Sequence, residues 1–247
     1  MSAERASVQI GEAVIWHDVE CGAYTADLDT WSQLADLAAG TVLDLGCGTG
    51  RVALRLAGGG HRVVGLDSDP ILVETLAERA AHLPVEAEVG DARDFRLGGR
   101  FSLTIAPMQL VQLFEGRDER ISCMRCVAEH LLPGGIAAFA IVERMVPAHG
   151  APLPLPDARE CDGWLHSSLP IGIDVTPASA RIRRLRQAVS PDGEISEEVD
   201  EVRLTALNAA TLEAEALEAG LRPRGRRRIA ATQAHVGSTV VMLGREN

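Results

Sequence analysis

Three aspartates stand in or beside three short apolar runs: Asp44 within VLDLGCGTGR, Asp67 at the end of VVGLD and Asp91 in VGDARDF. After the first run, glycines recur at Gly46, Gly48 and Gly50. Glycine costs conformational entropy and packs nothing, so a ligand brought close to the backbone is the reason to place three of them there. A dinucleotide loop, G-x-G-x-x-G, wants its third glycine at position 51, where the chain has Arg51, and a pyrophosphate would meet the wrong charge in Asp44. The sequence contains no lysine, which closes the Walker-type phosphate loop. An aminoacyl ammonium or a sulfonium suits an acidic, glycine-lined crevice. A carboxylate at Asp67 can accept from both hydroxyls of a ribose, and one at Asp91 from an adenine amino group.

Other residues compete for a chemical role. Glu143 follows a fifth apolar run, IAAFAIVE, at the end of a strand that would face the same crevice. His166 follows Trp164 in the region after it. Tyr24 is the one tyrosine, in AYTADLDTW upstream of the first run. Cys123, Cys126 and His130 have the spacing of one helical face, which serves a buried stripe as well as zinc; no fourth ligand is evident, and no metal is assigned. His17, His149 and His235 read as ordinary surface or core histidines. The arginine clusters at 181–186 and 222–228 read as solvated faces paired with nearby glutamates.

These residues need a scaffold, and the pattern supplies one. From residue 41, apolar strand-like runs alternate with amphipathic helical ones: TVLDLG, GRVALRLA, HRVVGLD, ILVETLAERAAHL, PVEAEVGD, FSLTIAP, ERISCMRCVAEHLL and GGIAAFAIVE. That alternation predicts a parallel sheet with helices on both faces, whose ligands sit at the carboxyl ends of the strands. A helix from Asn208 to Gly220 and two strands, RRRIAAT and GSTVVMLG, close the chain. Between 143 and 207 lies an insert that opens on PAHGAPLPLP and ends in a hairpin turning at Pro191-Asp192-Gly193.

Taken in order, VLDLGCGTGR, VVGLDSDP, VGDARDF, FSLTIAPMQLVQLF and HLLPGGIAAFAIV resemble the motifs of the class I S-adenosylmethionine-dependent methyltransferases of small-molecule type, over about residues 41–142 and more loosely beyond. The resemblance implies a Rossmann-like, doubly wound seven-stranded α/β sheet of order 3-2-1-4-5-7-6 with its seventh strand antiparallel. One domain, 1–247, would comprise an N-terminal helical cover (1–40), a cofactor-binding core (41–142), an antiparallel substrate cap (143–207) and a final helix with two strands (208–247). It implies S-adenosylmethionine as cofactor, with Asp44, Gly46, Cys47 and Gly48 on the methionine side. Asp67 and Ser68 would hold the ribose, and Asp91 and Ala92 the adenine. Pro107, Met108 and Gln109 would lie beside the transferred methyl, and Tyr24 over the cofactor. Glu143 and His166 are the candidate catalytic residues. Enzymes that methylate exocyclic base nitrogens in DNA carry an Asn or Asp, two prolines and an aromatic where this chain has Ala106-Pro107-Met108-Gln109.

Composition narrows the partners. A formal net charge of −11 over 247 residues argues against a nucleic-acid surface. No apolar run approaches membrane-spanning length. Five scattered cysteines and a start without a signal-like pattern suit a reducing cytoplasm. The expectation is a cytoplasmic enzyme for a small-molecule acceptor, with a homodimer as the protein partner. The rival readings are a non-catalytic S-adenosylmethionine-binding partner protein and a nicotinamide-dependent oxidoreductase.

Overall fold

Strands buried on both faces read as continuous apolar runs, and this is how the centre of the molecule is built. The computed structural model describes residues 2–145, 155–232 and 235–245, with the side chains of the first helix from residue 11 onward. In chain order the core strands are β1 (Val42–Leu45), β2 (Val63–Asp67), β3 (Val85–Val89), β4 (Phe101–Ala106) and β5 (Leu131–Ile141). β1 is wholly buried and β2 and β4 nearly so, whereas β3, at the sheet edge, is largely exposed. β1 pairs in parallel with β2 and β4, β2 with β3, and β4 with β5.

Six further strands complete two sheets. β6 (Asp157–Cys161), β7 (Trp164–Val175), β8 (Ser179–Val189) and β9 (Ile195–Thr205) form an antiparallel sheet in that order. β10 (Leu221–Ile229) and β11 (Ser238–Arg245) join the core, giving seven strands in the order β10-β11-β5-β4-β1-β2-β3 with β11 antiparallel to β5. This is the expected 3-2-1-4-5-7-6 order. The insert exceeds the expected hairpin: β8 and β9 form it, and β6 and β7 widen it to four strands. Most of its Pro-rich opening, with His149, lies outside the described residues.

Helices cover both faces of the core sheet. On one, α2 (Leu28–Leu37), α3 (Arg51–Gly58) and α4 (Pro70–Arg79) bury Trp31, Leu56 and Leu76. On the other, α6 (Arg117–His130) and α7 (Ala209–Glu218) bury Met124, Val127, Leu212 and Ala216. The Asn208 side chain caps α7 by accepting from the Thr211 amide, as the sequence predicts, and Asp69 caps α4 from the Ile71 amide. The Cys123–Cys126–His130 stripe is core. His130 Nε2 accepts from the Leu97 amide at 3.0 Å and Nδ1 donates to the Cys126 carbonyl at 2.7 Å, so backbone occupies both ring nitrogens.

The first helix, α1 (Ser2–Cys21), packs against β6 and β7 on one side and α4 on the other. Toward the second sheet, Glu20 accepts from Arg186 at 2.8 and 2.9 Å and from Ser168 at 2.8 Å, and the Arg186 guanidinium lies over the Trp16 ring. Toward the core, Asp18 accepts from Arg79 of α4 and from Thr49 of the glycine loop. Arg184 and Arg186 thus turn inward, whereas Arg181 pairs with Glu201 on the surface as expected.

One polar side chain ties the core to the cap. Gln112, in the single turn α5 (Leu110–Leu113), accepts from the Val142 amide at 2.7 Å and donates to the Val142 and Thr205 carbonyls at 3.1 and 3.0 Å. Leucine at this position strands three backbone groups, so Gln112→Leu should lower unfolding free energy by about 1–3 kcal/mol, read from urea denaturation. An unchanged midpoint would mean that water replaces the side chain.

Candidate cofactor site

The loop after β1 takes its shape from glycine. Gly46 and Gly48 sit at φ +67 and +52, in the left-handed region that side chains disfavour. The Gly46 amide donates to the Leu66 carbonyl at 2.8 Å, and the Gly48 amide to Asp67 Oδ2 at 2.9 Å. Asp67 Oδ1 accepts from the Asp69 amide. Each oxygen of Asp67 therefore keeps a free lone pair, which is what two ribose hydroxyls require. Ser68 is exposed in the turn beside it.

Asp44 is the unusual group. It is 1% exposed, and its Oδ1 has no hydrogen-bond partner. Burial pushes its carboxyl up to about 7, although Arg51 and the Ala53 amide pull the other way. Arg51 opens α3 and is gripped by Asp27 through two bonds of 2.6 and 2.7 Å, while also donating to the Tyr24 carbonyl. Asp44 and Arg51 line one small cavity with His17, Cys21, Gly46, Cys47, Pro107 and Met108. It encloses about 30 Å³, room for a single water-sized group. An unsatisfied buried carboxylate oxygen and a guanidinium across one cavity fit the ammonium and carboxylate of an aminoacyl group, so these residues suit S-adenosylmethionine. The cavity must widen to admit it, and His17 and Cys21 of α1 form one of its walls.

The remaining expected residues divide. Pro107 is buried at the end of β4, and Met108 and Gln109 follow at φ +51 and +63, two consecutive left-handed residues at the crevice. Such backbone costs about 1–3 kcal/mol per residue and concentrates at functional sites. The buried Tyr24 ring packs beneath the Arg51 guanidinium and against His235, so it buttresses Arg51. Cys47 is buried, and its thiol is pushed well above the ordinary range by burial. Asp91 gives its oxygens to Arg93, at 2.9 and 2.6 Å, and Ala92 is buried beside it.

The two candidate catalytic residues do not line the cavity that holds Asp44 and Arg51. Glu143 accepts from the Ala209 amide at 2.9 Å and from Thr239 Oγ1 at 2.7 Å, pinning the first residue of α7 to β11. These bonds, the Ala209 amide foremost, hold its carboxyl below the ordinary range, which makes it a poor base. His166 is 7% exposed on β7, edge-on to Trp16 and stacked on Trp164. It meets the face of α1 opposite the glycine loop, and burial lowers its pKa. His17 read as an ordinary histidine in the sequence, and Asp18, Thr49 and the Arg51–Asp27 pair were not singled out there. Asp27 and Arg51 lie 24 residues apart, and no periodicity links an N-terminal helix to a loop.

The Asp44 shift has consequences for pH. An acid whose folded pKa is raised binds more protons folded than unfolded between about pH 4 and 7, so stability falls across that window and the penalty is complete above it. Asp44→Asn should therefore be more stable than the parent above pH 7, by about 1–4 kcal/mol, yet bind S-adenosylhomocysteine more weakly. Chemical denaturation and calorimetry check both signs; tighter binding would remove Asp44 from the site. Glu143→Gln should lose about 0.5–1.5 kcal/mol of stability while cofactor affinity holds, and a lost affinity would return Glu143 to the site.

Comparison with known proteins agrees with this geometry. A family model described as a methyltransferase domain matches residues 42–135. The cypemycin N-terminal methyltransferase of a Streptomyces species is 37% identical over 113 residues, 45% of this chain and 46% of that protein. The aligned segment thus spans about half the length of that curated relative. The structure of the CcbJ methyltransferase from Streptomyces caelestis is 27% identical, with a TM-score of 0.68 over 92% of this chain and 98% of that one. S-adenosylmethionine-bound CalS10, an amino pentose methyltransferase from Micromonospora echinaspora, shares the fold with a TM-score of 0.73 over 94% and 96% of the two chains, at 20% identity. All three are methyltransferases, which leaves the non-catalytic reading without support. Residues 42–135 thus match the methyltransferase-domain family, and with this strand order and glycine loop the chain has the fold of the class I S-adenosylmethionine-dependent methyltransferases.

Proposed function

We propose that the protein transfers the methyl group of S-adenosylmethionine to an amine nitrogen of a small molecule. The unsatisfied Asp44 oxygen facing Arg51 across one cavity carries the cofactor half of this reading. The acceptor half draws on relatives whose names specify a peptide N-terminus and an amino pentose. When bound, the cofactor supplies a methyl already activated on a sulfonium.

What remains for the protein is alignment and exclusion of water. Asp44, Gly46, Cys47, Gly48 and Arg51 hold the aminoacyl end, Asp67 and Ser68 the ribose, and Asp91 and Ala92 the adenine. Tyr24 sets Arg51, and Pro107, Met108 and Gln109 shape the wall beside the methyl. The acceptor enters from the side of the second sheet. There a cavity of about 270 Å³ lies between the carboxyl end of β5 and the β7–β8 turn, lined by Val142, Glu143, Arg144, Val175, Thr176 and Leu204 among others. No helix among the described residues is long and apolar enough to cross a membrane, and the enzyme is assigned to the cytoplasm. Nucleic acid is not its substrate.

The test is a matched panel of amino sugars, peptide amines and their hydroxyl counterparts, with S-adenosylhomocysteine release and product mass as readouts. Turnover of amines alone is expected; turnover of the hydroxyl compounds alone would reassign the accepting atom. The outer face of the second sheet aligns Leu165, Val189 and Ile195 in one row and Leu169, Leu185 and Val199 in another, with the polar row Ser167, Gln187 and Glu197 between them. Leu165, Ile195 and Val199 are exposed, and a second copy of the chain is the partner assigned to this face. Ile195→Glu should shift sedimentation from dimer to monomer, and a monomeric parent would end that assignment.

A further inference from the structure

His17 lies on the glycine loop rather than on the surface. A Cβ built on Gly48 would fall 2.1 Å from its Nε2, so glycine at 48 is what lets the imidazole edge lie against the backbone. The same ring lines the cavity that holds Asp44 and Arg51. Among the described residues Nε2 makes no hydrogen bond, whereas Nδ1 is 3.2 Å from Thr49 Oγ1.

The partners of Thr49 decide which nitrogen carries the proton. Thr49 donates its one hydroxyl proton to Asp18 Oδ1 at 2.6 Å. Burial pushes the Asp18 carboxyl up, but bonds from Arg79 and Thr49 outweigh it and keep the group ionised, hence an acceptor only. With its proton committed, Thr49 Oγ1 can only accept from His17. The ring is therefore the Nδ1–H tautomer, and Nε2 presents a lone pair. Burial holds His17 below the ordinary imidazole range; Asp18 and Asp67 pull it up, while Arg51 and Arg79 push it down. Asp44 and Cys21 face it across the cavity. The neutral ring prevails at neutral pH.

We propose that His17 is a cofactor-positioning residue: with its proton fixed on Nδ1 by the Thr49–Asp18 pair, its Nε2 accepts a hydrogen bond from the α-ammonium of S-adenosylmethionine beside Asp44. This rests on the methyltransferase reading. It assigns α1 a share in binding as well as in covering, because an ammonium carries donors only and Asp44 Oδ1 alone cannot satisfy them. The two acceptors flank the cation, and Arg51 takes the carboxylate.

Calorimetric titration of the full chain near neutral pH separates this role from others, using S-adenosylhomocysteine and 5′-methylthioadenosine, which keeps the ribose and adenine but lacks the aminoacyl group. His17→Ala should weaken S-adenosylhomocysteine about tenfold and leave 5′-methylthioadenosine unchanged. His17→Gln, whose amide oxygen reaches the Nε2 position, should recover most of the loss. Thr49→Val, which frees the tautomer, should lose part of it. Equal or tighter binding of S-adenosylhomocysteine by the alanine variant would make the ring an obstruction and overturn the proposal, as would equal losses for both ligands. Should alanine compromise folding, judged by thermal unfolding, a folded glutamine variant with parental affinity supports the role and one with alanine-like loss overturns it. A parent that binds neither ligand overturns the cofactor reading, and this proposal with it.

Discussion

A carboxylate buried without a full set of partners is among the costliest things a fold can contain, and Asp44 is one. Its position is dictated by β1, whose two buried neighbours leave no solvent on either side. The glycine loop begins two residues later and turns the backbone away, and no group of the chain's own among the described residues hydrogen-bonds Oδ1. Arg51 could have neutralised it, but Asp27 holds that guanidinium in a bidentate grip and Tyr24 supports it from below. The two charges remain close without pairing. A polar site of this kind, held by the surrounding core, has the charges that the proposed zwitterionic aminoacyl group requires.

The N-terminal helix connects that site to the cap. Trp16 and Glu20 face the second sheet, and His17, Asp18 and Cys21 face the crevice; these are two stripes of one helix. Asp18 joins the glycine loop, α4 and β6 through Thr49, Arg79 and Arg159. Exposed ion pairs contribute little, but Asp18 is 8% exposed, and its geometry is that of a tether. Every basic group is arginine, and the fork of a guanidinium suits ties in which one carboxylate must fix the angle between two elements. Arg186 to Glu20 and Arg120 to Glu215 are both of this bidentate kind.

The core sheet was legible because parallel strands buried on both faces leave an unbroken apolar signature and glycine marks the crevice loop. The order of all seven strands followed from the family resemblance rather than from pattern. The insert was legible only where a turn residue punctuated it, at Gly193; β6 and β7 carry mixed polar and apolar residues because one face of their sheet is lined with ion pairs to α1. Glu143 misled for a physical reason. Position at the carboxyl end of β5 points toward the crevice, but a carboxylate there also lies beside the amino end of α7, whose unpaired amides attract it. His166 was singled out for following Trp164; in the fold its ring also meets Trp16 of α1, which packs against β7.

A base is the part of an enzyme that a sequence search is built to find. Neither Glu143 nor His166 lines the Asp44–Arg51 cavity, and Glu143, at the edge of the cavity proposed for the acceptor, has its carboxyl held by Ala209 and Thr239. Methyl transfer from a sulfonium explains why the fold manages without a base. The leaving group is neutral on departure, so no acid is needed, and an amine that has lost its proton attacks unaided. What the reaction does need is a nucleophile held in line and water kept out, tasks that demand shape rather than titratable groups. Backbone supplies shape: the left-handed pair Met108–Gln109, the glycine loop, and a cap tied to the core by Gln112. Opposite side-chain charges, Asp44 and Arg51, line the cavity proposed for the charged end of the cofactor. On the proposed reading, selection among acceptors falls to the second sheet, whose strands border the 270 Å³ cavity beside β5.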